Sequence, residues 1–122
     1  MKILSKYNED IFGMANLNPQ KSGVPVIIWS DHSGCTRKVS HRGTPWIKIG
    51  EENYSVSVTI EPHPIIKAKS RRLKKSELDK IQQGIEYVGR NYDLFLKHFD
   101  DTDFSFDDED LFNELRKRGE YR

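Results

Sequence analysis

Six lysines and arginines lie within nine residues of the sequence, with no acid among them. They are Lys67, Lys69, Arg71, Arg72, Lys74 and Lys75. Cations at this density neutralise phosphates and give a salt-dependent affinity that does not depend on base sequence. We therefore predict a nucleic-acid-binding segment here. Two plainer interpretations remain open: a solvated loop that keeps the protein soluble, or an internal partner for the acidic residues described next.

Further bases precede this segment in the sequence. They are Arg37, Lys38, Arg42 and Lys48, and we expect them to extend the same surface. Trp46 lies among them, and an exposed aromatic ring would stack on a base. The alternative is that Trp46 belongs to the core.

Residues 100–110 interleave seven carboxylates with two phenylalanines, Phe104 and Phe106. Complementary charge steers association, so this segment predicts docking on the basic groove of a partner. The residues predicted to make that contact are Asp101, Asp103, Asp107 and Asp108. The alternative is a capped helix start whose phenylalanines pack onto the core. The spacing lacks the glycine and terminal glutamate of an EF-hand loop, so we expect no calcium site.

The charges are strongly segregated along the chain. Residues 35–75 hold ten bases and three acids, whereas residues 93–114 hold nine acids and one base. The formal net charge of +1 therefore conceals two opposite poles. Whether they face the same side of the molecule does not follow from the sequence.

One combination of residues has the types that a ribonuclease needs. His63 lies between two prolines, and with His41 and Arg72 it would supply a general base, a general acid and a cation for the phosphate. No spacing in the sequence requires these three residues to meet. We keep a metal-independent ribonuclease of the toxin type as the alternative hypothesis for function.

Metal and cofactor signatures are not visible. Asp31, His32, Cys35 and His41 are zinc-ligand types, but structural zinc sites pair Cys or His at both ends and only one Cys is present. The sequence has no phosphate loop, dinucleotide fingerprint or serine elbow. We predict no metal and no cofactor.

Composition predicts a folded, soluble, cytoplasmic protein. Ile, Leu, Val and Phe together exceed about 20% of the residues, the share below which chains are typically disordered. The lone Cys35 excludes an intrachain disulfide and favours a reducing compartment. No apolar stretch approaches the roughly 20 residues of a membrane span, and the first ten residues hold no signal-peptide core.

The strands are predicted mainly from alternation. Residues 54–60 alternate apolar and polar side chains without exception, which indicates a half-buried strand. A second strand over 46–49 completes a hairpin across Gly50–Asn53. Residues 24–29 form a short apolar strand, and residues 1–23 a loosely structured arm with an edge strand near Ile3.

Farther along, the period changes to that of a helix. One apolar stripe predicts a long helix over 76–99, capped by Ser76. It consists of Leu78, Ile81, Ile85, Val88, Tyr92, Phe95 and Phe99. Gly84 and Gly89 are expected to permit close approach to the sheet. A shorter helix over 107–118 has acids in its first turn, bases in its last and Gly119 after it.

Strands followed by helices predict an α+β fold. We expect a single domain over 1–122, with a small antiparallel sheet of three or four strands in 24–61. The long helix and the short C-terminal helix would pack on one face.

The chain resembles a group of small proteins in two segments, Asn16–Trp29 and the triplet Ile47-Lys48-Ile49. The segment resembles the opening of uncharacterised proteins of bacterial chromosomes and mobile elements, in which a polar arm and an apolar strand lead to an Ile-Lys-Ile strand. The acidic end from Asp100 onward lies outside this resemblance. It implies an α+β fold and a bacterial or phage setting near toxin–antitoxin or defence loci. It transfers no site residue.

The leading hypothesis is a small non-enzymatic binding protein that docks by charge. Its partner would be a nucleic acid, a ribonucleoprotein or a protein that handles nucleic acid. One form of this hypothesis is an inhibitor or regulator of a nuclease or defence system that acts by occlusion. The sequence does not predict an oligomeric state.

Overall fold

A computed structural model describes residues 15–30, 45–101 and 105–122 of the chain. These residues form a five-stranded antiparallel sheet and four helices. The strands are β1 (Ala15–Leu17), β2 (Ile27–Ser30), β3 (Trp46–Glu51), β4 (Tyr54–Thr59) and β5 (Ile66–Lys69). Their spatial order is β1-β2-β3-β4-β5, so each strand pairs with its neighbour in the chain.

The helices are α1 (Pro19–Ser22), α2 (Lys75–Arg90), α3 (Tyr92–Asp100) and α4 (Asp108–Lys117). α2 packs on β3, α3 packs on β2, and α4 packs on α3. The α+β class is confirmed. Among the described residues, none of these helices combines the length and the apolar character needed to cross a bilayer.

One face of the sheet forms the core with the helices. Ile28, Ile49 and Val56 are register partners on adjacent strands and are almost completely buried. Gly84 of α2 lies directly above this row, because a Cβ on it would come within 2.7 Å of Ile49 Cγ2. The predicted role of Gly84 in close approach is confirmed.

The second face of the sheet carries a different row of side chains. Trp29, Lys48 and Ser57 are register partners on β2, β3 and β4. Trp29 and Ser57 are buried, and Lys48 is half-buried. Trp46, two residues before Lys48 on the same strand, is also buried. A cation therefore lies in the middle of this face, beside an indole.

The sheet is larger than the sequence predicts. β1 lies within the expected arm, and β5 lies within the basic segment, outside the residues 24–61 in which the sheet was predicted. β5 is short and exposed, and a bulge interrupts its pairing with β4 near Ser57. Charged side chains, short length and bulges are typical of edge strands, and they obscure the alternation that marks a strand. The strand expected near Ile3 and the turn at 31–34 lie outside the described residues.

The predicted long helix is two helices that meet at Asn91. Asn91 has φ −119° and ψ 25° and is buried, and its side-chain amide donates to the Tyr87 carbonyl at 3.0 Å. The break places Tyr92 of the predicted stripe at the surface, with 36% of the residue exposed. α2 also begins earlier than expected, since its N-cap is Lys74 and not Ser76.

The C-terminal helix agrees closely with its prediction. Asp107 is the N-cap, and its carboxylate accepts from the Asp110 N–H at 3.0 Å. Asp110 in turn accepts from the Asp107 N–H at 3.1 Å, which completes a capping box. Gly119 follows the helix with φ +77°. Phe106 is buried, as one of the alternatives for the acidic segment requires; Phe104 lies outside the described residues.

Candidate nucleic-acid interface

The exposed cations of the basic segment lie on and just beyond the edge strand β5. We call them the basic edge: Lys67, Lys69, Arg72, Lys74 and Lys75, all exposed. Within the described part of the chain, only Lys75 among them forms an ion pair, 3.5 Å from Asp79, and both side chains are largely in solvent. Such pairs contribute little. The basic edge is therefore a set of cations whose charge is not neutralised locally.

Arg71 differs from its neighbours because its guanidinium is already engaged. It pairs with Glu77 through two N–H···O contacts of 2.9 and 3.1 Å. It also donates to the carbonyls of Asn53 and Arg72 and lies 5.3 Å from the ring centroid of Tyr54. Arg71, predicted to bind phosphate, instead ties the β3–β4 turn to the start of α2.

The Arg71–Glu77 pair also perturbs ionisation. The hydrogen bond from Arg71, followed by that from the Lys74 backbone N–H, lowers the pKa of Glu77 to about 2. The same pair raises the pKa of Arg71. The Lys74 N–H donates to the Glu77 carboxylate at 2.9 Å, so one acid caps α2 and holds Arg71.

The other predicted bases are divided between the second face and the undescribed part of the chain. Lys48 lies on the second face, and no ion pair or hydrogen bond joins its ammonium to another described residue. Trp46 beside it is buried, as the core interpretation requires. Arg37, Lys38 and Arg42 lie outside the described residues.

Asp101, predicted to contact a partner, faces inward. The residue is 7% exposed, and its carboxylate accepts from the Ser105 N–H, the Ser105 hydroxyl and the Phe106 N–H at 2.9–3.2 Å. These contacts organise the approach to α4 and bury Phe106. Asp101 therefore acts within the fold, while Asp103 lies outside the described residues.

Asp107 and Asp108 are also used internally. Asp107 is the N-cap of α4. Asp108 lies with Oδ1 2.7 Å from His98 Nε2, and His98 Nδ1 lies 2.9 Å from Ser30 Oγ. A carboxylate only accepts hydrogen bonds, so His98 Nε2–H donates to Asp108, while the second ring nitrogen, Nδ1, is hydrogen-bonded to the Ser30 hydroxyl.

This Ser30–His98–Asp108 chain is the main feature that the sequence analysis missed. Its members come from β2, α3 and α4, and no local spacing connects them. A serine, a histidine and an acid in this order also occur in hydrolytic triads. Here Ser30 and His98 have no exposed surface, so no substrate carbonyl reaches the hydroxyl in this conformation. The chain joins the sheet to both helices.

Several of the remaining acids are paired as well, whereas Asp100 and Glu109 are exposed and form no hydrogen bond or ion pair with another described residue. Asp93 forms two contacts with Arg118, and the hydrogen bond lowers the pKa of Asp93. Glu114 pairs with Lys117, and Glu120 pairs with Arg90. The acidic pole is largely spent on caps and internal pairs, in contrast to the basic edge.

The two poles lie at opposite sides of the sheet. β5 is one edge strand, whereas the acidic helix α4 packs on α3, which packs on β2. Three inter-strand spacings, about 14 Å, separate β2 from β5. The basic edge and the acidic helix α4 therefore lie toward different edges of the sheet.

The residues of the ribonuclease hypothesis are not brought together. His63 and its flanking prolines line a groove with the C-terminal half of α2, where Pro62 approaches Gly89 closely. Arg72 precedes the other end of α2, and Lys75 to Gly89 spans about 21 Å. His41 lies outside the described residues. The ribonuclease site considered for His63 and Arg72 is therefore not formed.

No three His, Cys, Asp or Glu side chains cluster as metal ligands within residues 15–30, 45–101 and 105–122. The zinc-ligand types considered above, Asp31, His32, Cys35 and His41, all lie outside those ranges. Four of the described acids of residues 100–110 are occupied by caps and hydrogen bonds, and these are Asp101, Asp107, Asp108 and Asp110.

The chain was also compared with known proteins. No protein-family model, no curated protein and no solved structure matches it. The resemblance of Asn16–Trp29 to bacterial and mobile-element proteins therefore stays an expectation.

Proposed function

We propose that this chain is a small non-enzymatic binding protein that docks by charge on the phosphate backbone of a nucleic acid or ribonucleoprotein. The contact surface is the basic edge. Its five cations project from an edge strand and the turn after it, where no helix covers them. Bound phosphates release counterions, so affinity falls steeply as salt rises.

The observation that supports this proposal is the unequal use of the two charge poles. Six of the eight described acids in residues 93–114 are occupied by helix caps, buried hydrogen bonds or ion pairs. Lys67, Lys69, Arg72 and Lys74 have no ion-pair partner among the described residues. Uncompensated charges on one surface repel each other, and a polyanion would relieve that repulsion.

The first test measures fluorescence anisotropy of labelled RNA and duplex DNA at several salt concentrations. The variant Lys67→Glu/Lys69→Glu reverses two charges and keeps the edge strand charged. Each lost phosphate contact lowers the salt slope by about 0.7 for single strands. We therefore expect weaker binding and a slope smaller by about 1.4 for the double variant.

The matched control is Lys97→Glu/Lys117→Glu, which makes the same charge change on α3 and α4. We expect this control to retain most of the affinity and all of the contribution that the basic edge makes to the salt slope. Equal losses in both variants would indicate only a net-charge effect and would contradict a localised site. Cleavage of the label would contradict the non-enzymatic proposal.

A further inference from the structure

The outer side of the edge strand β5 presents backbone groups that can accept another strand. β5 pairs with β4 on its inner side. The Ser70 N–H donates to the Ser55 carbonyl at 2.9 Å, so Ser70 directs its backbone groups toward β4. In an antiparallel ladder this direction alternates along a strand. The N–H and C=O of the preceding residue, Lys69, therefore point away from the sheet.

A second outward pair of backbone groups lies at Ile66. The Thr59 N–H donates to the Ile65 carbonyl at 3.0 Å, so Ile65 directs its groups toward β4 and Ile66 directs its own outward. Within residues 15–30, 45–101 and 105–122, no strand pairs with this outer side. Unpaired N–H and C=O groups on a sheet edge are what an added strand binds.

The side chains along residues 65–69 differ between the two faces of the sheet. Lys69 is the register partner of Val56, so it lies on the face that packs on the helices, at its exposed rim. Ala68 is the register partner of Ser57 and lies exposed on the second face. Ile65 lies on the second face as well, since the residue after it packs on the core. The edge therefore has a cationic side and an apolar side.

Ile65 marks the apolar side most clearly. It is 60% exposed, the largest exposed fraction of any large apolar side chain in the described part of the chain. A strand added at the edge would cover it, and apolar area removed from water favours association. The exposed Ala68 continues the same side toward the end of β5.

The two sides together select one kind of strand. Opposite charges directly across an antiparallel ladder are favourable, and like charges are unfavourable. A second copy of this chain would bring the lysines of its own β5 to the edge, so self-pairing is disfavoured. A strand that alternates acidic and apolar residues would instead place an acid opposite Lys69 and apolar side chains beside Ile65 and Ala68, because successive side chains point to opposite faces.

We propose that β5 accepts an extended segment of a partner protein as a further antiparallel strand, and that this segment alternates acidic and apolar residues. The backbone groups of Ile66 and Lys69 supply the hydrogen bonds, and the charges of Lys67 and Lys69 select the acidic partner. This inference goes beyond the proposed function, since its ligand is a peptide. Both ligands use Lys67 and Lys69, so they compete for the same edge.

The test uses a peptide of about eight residues, within the usual length of a strand, that alternates valine and glutamate. Its binding to the protein is measured without nucleic acid. A residue directly opposite Lys69 exchanges both backbone hydrogen bonds with it, so a glutamate at that position presents its own N–H to β5. N-methylation of the glutamates should weaken binding about tenfold or more, because it removes those donors. N-methylation of the valines, whose N–H groups point away from β5, is the matched control and should leave binding nearly unchanged.

Amide hydrogen exchange locates the added strand on the protein. Exchange of the Ile66 and Lys69 N–H groups should slow when the peptide binds, whereas exchange at Ala68, whose N–H faces β4, should change less. Slowing at Ala68 without slowing at Ile66 and Lys69 would contradict strand addition at this edge.

A charge exchange tests the selection of an acidic partner. Lys67→Glu/Lys69→Glu should weaken binding of the valine–glutamate peptide about fivefold or more and should strengthen binding of a valine–lysine peptide. Both substitutions are at exposed positions, and the gain for the valine–lysine peptide shows that the variant is folded. Lys97→Glu/Lys117→Glu, with the same charge change away from β5, should produce neither effect.

The outcomes separate this inference from the proposed function. Equal binding of both N-methylated peptides would overturn strand addition and leave a surface that attracts polyanions of any kind. Failure of the unmodified peptide to bind would overturn the inference alone, since the nucleic-acid titration is independent of it. Binding of the peptide by a protein that binds neither RNA nor DNA would support the inference and overturn the proposed function.

Discussion

Arg71 and Arg72 are adjacent and identical in type, yet they have different roles. Arg71 forms contacts with Glu77, Asn53 and Tyr54, whereas Arg72 extends into solvent without an ion pair among the described residues. The difference depends on the β3–β4 turn and on α2, which lie before and after them in the chain. A count of local charge therefore overestimates the phosphate-binding cations, and only tertiary contacts separate the two arginines.

The Glu77 carboxylate makes stability depend on pH in the acidic range. Its pKa is lowered from an ordinary 4.5 to about 2, first by Arg71 and then by the Lys74 backbone. A group with a lowered pKa stabilises the fold above its ordinary pKa, and that contribution disappears as pH falls through about 2. Glu77→Gln keeps an acceptor for the cap but removes the charge.

We expect Glu77→Gln to have a lower urea midpoint than the parent protein at neutral pH. The difference should shrink as pH falls and vanish near pH 2, where the parent carboxylate is protonated as well. Glu52→Gln, in the exposed turn, is the matched charge-removing control. A gap between parent and Glu77→Gln that stays constant across this range would contradict the ion-pair assignment.

The buried Ser30–His98–Asp108 chain predicts a second stability effect. Ser30→Ala removes the hydroxyl that is hydrogen-bonded to His98 Nδ1, so a buried ring nitrogen loses this hydrogen bond. Such losses cost about 1–3 kcal/mol. Chemical denaturation should show this loss, while Ser76→Ala, at an exposed position on α2, should stay within about 0.5 kcal/mol. Equal effects of the two substitutions would mean that the chain contributes no specific stability.

At the scale of elements, the predictable parts are those with strong local patterns. β4 was predictable because its core-facing residues are apolar and those between them are serines and a threonine, which gives Tyr54–Thr59 a period of two. α4 was predictable because its caps and end charges are local. β1 has three residues and β5 carries edge lysines, so neither displays a readable period. Their pairing is set by neighbouring strands.

The break at Asn91 was hidden for a different reason. Apolar residues continue at helical spacing through it, since both α2 and α3 cover the same core. The break depends on contacts of Asn91 with Tyr87 and Arg118, the second of which is 27 residues away in sequence. Likewise the Ser30–His98–Asp108 chain was not predictable, because it combines residues from β2, α3 and α4.

The contact between α2 and the sheet predicts the effect of a methyl group at Gly84. A Cβ there would lie 2.7 Å from Ile49 Cγ2 and 2.8 Å from Val26 Cγ2. Overpacking costs about 1–3 kcal/mol, which exceeds the helix-propensity gain of about 1 kcal/mol. Gly84→Ala should therefore lower the free energy of unfolding by up to about 2 kcal/mol.

A substitution to alanine at an exposed site of α2 provides the control. Gln83→Ala changes the neighbouring position without touching the sheet and should stay within about 0.5 kcal/mol. Urea denaturation of both variants measures the difference. Stabilisation by Gly84→Ala would mean that the gain in helix propensity exceeds the cost of overpacking and that the helix has room to move off the sheet.

At the scale of the whole molecule, the edge position of β5 gives its lysines a second consequence. An exposed edge strand templates pairing with other chains, and lysines there suppress it. Lys67→Ile/Lys69→Ile should cause concentration-dependent association, whereas Lys67→Glu/Lys69→Glu should not. Light scattering over a concentration series distinguishes them. Association of both variants to the same extent would show that charge as such does not protect the edge.

The order of strands also shapes how the chain reaches this fold. Only two residues separate β3 from β4, whereas β2 and β3 are separated by the fifteen residues from Asp31 to Pro45. Closing a short loop costs less entropy, and hairpins form within about 1–10 μs. Closing the β3–β4 hairpin therefore costs less loop entropy than joining β2 to β3. Because β5 pairs with β4, an early hairpin would provide the template on which the strand that carries Lys67 and Lys69 is added.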